Sequence, residues 1–258
     1  MNSSDLNPAN WKSGLLIINA DDWGLDRQTT NRILDCGRMR RISSASAMVF
    51  MEDSERAAEL SREAGMITGL HLNFTTPFSA PSCSNEVVER QRKIVASLRR
   101  HRFSGTLFHP VLQRHFEYVA AAQLDEFQRL YGAPAVRLDG HHHMHLCPNV
   151  LWTGLLPAGT AVRRSSCFGR GERGPLNRLY RSFVDRILAR RHLLTDFFFP
   201  LAPLEPATRL QRIFSLASTA AVEVETHPVE PKEYKFLMSD DLLRLTENLR
   251  MVLPAQLR

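Results

Sequence analysis

Leu15 to Gly24 reads LLIINADDWG: an apolar run, then Asn19, Ala20, the pair Asp21–Asp22, and Trp23–Gly24. A short apolar run with β-branched residues reads as a buried strand. Its far end carries the polar groups. Three other stretches repeat this layout: Ile67 to Asn73 (ITGLHLN), Ala135 to His145 (AVRLDGHHHMH) and Ala221 to Pro228 (AVEVETHP). In α/β barrels the working side chains stand where parallel strands end, on the C-terminal rim. Aspartates and histidines at four strand ends, far apart in sequence, therefore predict an α/β fold closed into a barrel with these groups on one rim.

The rest of the chain alternates accordingly. Helices are predicted over Thr29–Arg40, Ser54–Ala64 with Ser54 as N-cap, Glu86–Arg100, His115–Tyr131, Asn177–His192 and Asp240–Val252. Further strands are predicted at Ser43–Phe50, Ala161–Ser165 and Phe197–Leu201, and Thr75–Asn85 reads as a loop. Strands alternating with helices imply a parallel sheet. No internal repeat or low-complexity linker interrupts this. The predicted organisation is a polar tail over residues 1–13 and one barrel domain over 14–258, with an insertion-like segment at about 163–203.

The 258 residues, 43% hydrophobic and 23% charged, are enough for a full core. The N-terminus lacks the apolar stretch of a signal peptide. No segment reaches the ~18 apolar residues of a membrane span. Four cysteines without a CxxC pair point to reduced thiols and a cytoplasmic setting. Cys147, close behind the histidine cluster, is a conceivable extra ligand. The net charge of +6 is concentrated: Arg163 to Arg191 holds nine arginines against Glu172 and Asp185, or +7, leaving −1 elsewhere. Such a patch suits an anionic partner. Within it, Leu179, Tyr180, Phe183, Val184, Ile187 and Leu188 form a helical apolar stripe. A stripe of this kind faces a core, or rests on the inner face of a membrane.

The strand-end residues have the chemistry of a metal site. Adjacent carboxylates let one group ligate a divalent cation while the other accepts a proton. His71 adds an imidazole. His141, His142, His143 and His145 lie within five residues, and in an extended segment His141, His143 and His145 share one face. One ion takes three or four protein ligands, so some of these orient ligands or meet substrate. His227 stands where a general acid could protonate a leaving group. An Asp, His, His set with open positions is the equipment for hydrolysing an amide or ester.

The motifs NADDWG, GLHLN, LDGHHHMH and ETHP resemble, in order, those of the YdjC-like carbohydrate deacetylases, of the ChbG and HpnK type. The likeness runs from about Leu15 to about Asn248. It implies an irregular (β/α) barrel of the glycoside hydrolase/deacetylase type, which removes N-acetyl groups from amino sugars or short oligosaccharides with one divalent metal ion, Mg²⁺ or Zn²⁺. It implies Asp22, His71 and His141 as ligands, Asp21 as base and His227 as acid, with His143, His145, Asn73 and Trp23 as substrate or supporting contacts. Trp23 stands where Phe is usual and Phe74 where an aliphatic is common. The segment Arg163–Pro203 matches no motif, and is expected to select an anionic or lipid-linked substrate.

Three rivals remain. A metal-dependent phosphoesterase or amidohydrolase could use the same rim, with the arginines on phosphate. A literal GxGxxG at Gly169, Gly171 and Gly174 lacks the strand that a dinucleotide site needs before it. The charge would suit nucleic acid, but no binding module is present and no such partner is expected. Oligomeric state is unreadable, a homodimer being simply the commonest assembly.

Overall fold

A computed structural model describes residues 14–99, 104–167 and 174–251. The polar tail and the first two glycines of the GxGxxG stretch lie outside the described residues. Seven parallel strands form one sheet: β1 (Leu15–Trp23), β2 (Ser44–Ala47), β3 (Thr68–Leu72), β4 (Arg137–Gly140), β5 (Ala161–Val162), β6 (Phe197–Pro200) and β7 (Ala221–Thr226). Their order is β5-β4-β3-β2-β1-β7-β6. That is the circular order of a barrel, opened between β5 and β6. The two edges still approach each other: Ala161 bridges Leu193, and Cys167 N–H donates to the Phe198 carbonyl. The sheet is thus a curled, irregular barrel.

Helices α1 (Arg27–Arg38), α2 (Ser54–Ala64), α3 (Asn85–Leu98), α4 (Gln113–Tyr131), α5 (Pro148–Leu151), α6 (Pro175–Ala189), α7 (Ala207–Leu216), α8 (Pro231–Leu237) and α9 (Asp240–Thr246) follow the strands. Among the described residues no helix is long and apolar enough to cross a membrane. Local chemistry sets several ends. The Asp26 carboxylate accepts from Thr29 N–H at 2.7 Å and starts α1. Left-handed Gly65 and Gly132 close α2 and α4.

Some boundaries differ from expectation. Ser54 is the first residue of α2, not its cap; Asp53 holds the cap position. The Ser54 hydroxyl instead accepts from Met51 N–H and donates to the Met48 carbonyl, pinning the turn after β2. Met48 N–H to the Trp23 carbonyl is the last pairing bond of β2 with β1, and Phe50 beyond it is left-handed, where the chain leaves the sheet. The closing helix stops at Thr246, and Met251 returns to bridge Leu16 of β1. Helices α5, α7 and α8 were not expected. Helix α7 buries Leu210, Ile213 and Phe214 in ordinary helical spacing.

Strand residues alternate between two buried environments. Leu16, Ile18, Ala20, Ala45, Ala47, Leu70, Leu72, Leu138, Val222 and Val224 join the hydrophobic core cluster. The intervening positions are largely polar and also buried: Asn19, Asp21, Ser44, Ser46, His71, Arg137, Asp139, Glu223 and Glu225. Hydrogen bonds run between strands, from Ser44 Oγ to Asn19, from Asn19 to Ser46, and from Ser46 Oγ to Asp139. The barrel interior is therefore a charged network, where such barrels ordinarily stack branched apolar side chains.

Candidate metal centre and active site

Strand register assembles the site. His71 pairs beside Asp139, and Asn19 beside Glu225. In β1 the register with β2 shifts between Ala20 and Trp23, a bulge that contains both aspartates. Asp22 is left-handed (φ 69°), an uncommon and strained conformation for a non-glycine residue. The bulge brings both carboxylates to the same ring: His71 Nε2 lies 3.8 Å from Asp21 Oδ2 and 3.3 Å from Asp22 Oδ1.

Asp22, His71 and His141 each offer a ligand atom, all within 4.8 Å of one another. Each imidazole is oriented from behind. His71 Nδ1 faces Asp139 Oδ1 at 2.7 Å, leaving Nε2 towards Asp22. His141 uses the opposite nitrogens: Nε2 bonds to Thr76 Oγ1 at 3.0 Å, and Nδ1 faces Asp22 Oδ1 at 2.8 Å. A carboxylate or hydroxyl behind a ligating histidine fixes its tautomer and direction. Asp21, Asp22, Asp139, Glu223 and Glu225 line this interior together with Arg137 and Arg163. The oxygen–nitrogen donor set of Asp22, His71 and His141 fits a divalent cation.

His141 to Leu146 is not extended. After Gly140 the chain enters a tight turn with His142 and His143 both left-handed. The expected shared face of His141, His143 and His145 is therefore absent. Gly140 is required here, since a Cβ would lie 2.8 Å from the His145 backbone nitrogen. His145 is fully buried and its Nε2 bonds to the Arg163 carbonyl at 3.0 Å. Burial and the neighbouring His143 lower its pKa to about 3, so it is neutral. His143 reaches the mouth, with Nε2 3.8 Å from Glu225 Oε2. Asn73 is committed to the following loop: its side chain accepts from Thr75 and Thr76 N–H and donates to the Thr76 carbonyl. Asn73 thereby places the Thr76 hydroxyl behind His141. Trp23 is wholly buried in the core. Cys147, also buried, belongs to none of the metal-capable groups among the described residues, and burial raises its thiol to about 12.

Arg163, in sequence only the start of a basic run, is a site residue. Its side chain is 0% exposed and holds Asp21 bidentately at 2.6 and 2.7 Å. It also reaches Asp139 at 2.8 Å and Glu223 at 2.6 Å. Burial opposes ionisation of Asp21, but Arg163 and His71 outweigh it and hold the carboxyl below the usual range. Burial likewise opposes a charged Asp22, while hydrogen bonds from His141 and His71 keep it ionised. Burial disfavours charge on His71, but Asp21 and Asp139 raise its pKa. His227 stands on the far side, Nε2 4.0 Å from Asp22 Oδ2 and 3.6 Å from Glu225 Oε1. Against the cost of burial, Asp21, Glu225 and Asp22 raise its pKa, so its charged form persists above the ordinary imidazole range. Asp21 is thus held ionised on one face, and His227 holds a proton on the other. Glu225, the second acid of AVEVE, also stands in the site, beside His227 and His143.

The chain is 34% identical over 140 residues to a chitooligosaccharide deacetylase of Serratia marcescens, and 32% identical over 140 residues to one of Yersinia pestis. In both, the match takes 53% of this chain and 52% of the relative, so it spans about half the length of the curated relatives. A solved structure from Enterococcus faecalis, of a candidate cellobiose-phosphate cleavage protein, superposes with a TM-score of 0.66 at 17% identity. It covers 95% of this chain and 99% of that one, and shares the fold. The family described as YdjC-like protein matches residues 15–248, from the first strand to beyond the last, through the arginine-rich segment. The chain belongs to the YdjC-like family.

Proposed function

We propose that this protein is a metal-dependent hydrolase that removes an N-acetyl group from an amino sugar or short oligosaccharide. The observation that carries the reading is the Asp22–His71–His141 triangle, within 4.8 Å, with Asp21 beside it and His227 across it. The relatives named chitooligosaccharide deacetylases support this substrate class. Asp22, His71 and His141 would hold the ion, and a divalent cation bound there would supply Lewis acidity to an acyl carbonyl and a neighbouring water. The two imidazoles favour Zn²⁺ or another transition ion, while the surrounding carboxylates leave Mg²⁺ in contention. Asp21 serves as the base, kept ionised and immobile by Arg163. His227 serves as the acid that protonates the leaving nitrogen. Asp139 sets the His71 tautomer, and Thr76 steers His141.

The basic segment supports a finer reading. Arg163 is spent inside the barrel, and Arg164 on Asp185 and on the carbonyls of Thr195 and Asp196. Neither is free for a substrate phosphate, which weakens the phosphoesterase alternative. Helix α6 does not bury its whole stripe: Val184 and Leu188 are covered, while Leu176, Leu179, Tyr180 and Phe183 are exposed. Apolar side chains beside Arg178 and Arg186 suit a lipid-linked, anionic acceptor, met by a cytoplasmic enzyme resting on the inner membrane face. Burying that stripe in a homodimer is the competing use, which gel filtration separates.

The decisive experiment pairs elemental analysis with acetate release from N-acetylated chitooligosaccharides and phosphate release from sugar phosphates. We expect about one divalent ion per chain, acetate without phosphate, and loss of both metal and acetate in Asp22→Ala, His71→Ala and His141→Ala. Phosphate release, or full activity in those variants, would overturn the reading.

A further inference from the structure

In an extended segment neighbouring side chains point to opposite faces, so His142 would turn away from His141. The reverse is found. The two rings pack against each other, with centroids 4.0 Å apart and a tilt of 34°. Left-handed backbone at His142 (φ 52°, ψ 29°) and His143 (φ 56°, ψ 25°) folds the chain back and allows this. That conformation presses Cβ towards the next carbonyl oxygen, and it persists only where the surroundings hold it. Thr75 holds it here: its hydroxyl lies 2.9 Å from His142 Nδ1. The next residue, Thr76, bonds His141 in the same way at 3.0 Å. Asn73 Oδ1 accepts from the N–H groups of both threonines, and so sets the two latches side by side.

The His141 ring has use for such a support. Asp22 holds its Nδ1 at 2.8 Å and Thr76 its Nε2 at 3.0 Å. Ring nitrogens bond best in the ring plane, so this pair of bonds resists rotation within the plane more than rocking of the ring out of it. Contact with a ring face resists the rocking. His71 makes a T-shaped contact with the His141 ring at 5.6 Å and 73°, while His142 packs on it at 4.0 Å. We propose that His142 is a positioning residue: latched by Thr75, its ring packs on the His141 imidazole and fixes the tilt at which His141 presents its nitrogen beside Asp22. A nitrogen ligand binds an ion well only when its lone pair points at the ion, so groups that orient the ring bear on affinity. The inference rests on the reading of Asp22, His71 and His141 as a metal site.

The test reads metal binding itself, without turnover. Wild type, His142→Ala, His142→Asn and His142→Phe are stripped of metal and titrated with Co²⁺, followed by calorimetry and by the visible absorption of the bound ion. Asn tolerates left-handed backbone and offers Thr75 a hydrogen-bond partner, but has no ring; Phe restores a ring without the hydrogen bond. The Ala and Asn variants should bind Co²⁺ roughly two- to tenfold more weakly, the worth of one ring contact, with a shifted spectrum. The Phe variant should stay within about twofold of the wild type. Circular dichroism melts confirm that the variants fold; if Ala does not, the comparison of Asn with Phe carries the test. Wild-type affinity in Ala or Asn, or a Phe variant as weak as these, would overturn the assignment. A wild type that binds no Co²⁺ would instead bring down the metal-site reading, a result distinct from equal binding by all four proteins.

Discussion

Replacing Arg163 with methionine should be among the most damaging single changes in this protein. The guanidinium is fully buried and contacts Asp21 through two bonds, Asp139 and Glu223, at 2.6 to 2.8 Å. Removing one partner of a buried ion pair costs about 3–5 kcal/mol, because the other charge is left stranded. Here three carboxylates lose their partner, although Arg137 still reaches Asp139 and Glu223. At ~2–4 °C per kcal/mol for a domain of this size, Tm should fall by roughly 6–20 °C. The loss should depend on pH. In the wild type Arg163 holds Asp21 and Asp139 below the ordinary carboxylate range. Their contribution to stability is present above the unfolded value near ~3.9 and is lost only as pH falls through the folded values. In Arg163→Met, burial is opposed only by His71 and, at Asp139, by Arg137, so the folded values rise above the unfolded one. The penalty then grows as pH rises above ~3.9 until it passes the raised values, by up to ~1.4 kcal/mol per pH unit for each proton involved. Circular dichroism melts at pH 5.5 and pH 8 measure this directly. The wild-type-to-variant gap should be wider at pH 8. A gap below ~2 °C at pH 8, or one equal at both values, would refute a network held by Arg163.

Asp139→Asn keeps the shape behind His71 but removes the charge, and should weaken divalent-ion binding or activity by ~10- to 100-fold; titration with a divalent cation reads it, and unchanged affinity would contradict the orienting role. Gly140→Ala places a Cβ 2.8 Å from the His145 backbone nitrogen, so the histidine turn must shift. The expected cost is ~1–3 kcal/mol, visible as a lower Tm. His227 has a raised pKa, so as an acid it should work at neutral pH and fail only as pH climbs through the raised value. The alkaline limb of kcat/KM should therefore lie above pH 6.5, and disappear in His227→Gln; an identical limb in that variant would remove His227 from the proton transfer.

Much of the fold was legible. The apolar runs at Leu15, Ile67, Ala135 and Ala221 all became strands of one parallel sheet. Their polar ends met on one rim because parallel strands start and finish together. Helix ends drifted by a few residues, since capping at Asp26 and Asp53 depends on local bonds that spacing does not show. Helix α6 shows the other kind of limit: helical spacing announces an apolar stripe, but not whether anything packs against it. Only Val184 and Leu188 found partners in the core.

The site divides in the same way. Residue types and strand ends are properties of short sequence windows, and these determined that Asp21, Asp22, His71, His141 and His227 would stand together. Which of four clustered histidines turns inward, which ring nitrogen it presents, and which acids are already paired depend on register, on the β1 bulge and on left-handed backbone at Asp22, His142 and His143. Those are settled by contacts between strands distant in sequence. Arg163 to Asp21, 142 positions apart, and His71 to Asp139, 68 apart, exist only once the barrel has curled. Tertiary structure alone decided that a run of basic residues would send its first arginine into the interior, and that Thr75 would latch His142 over its neighbour His141.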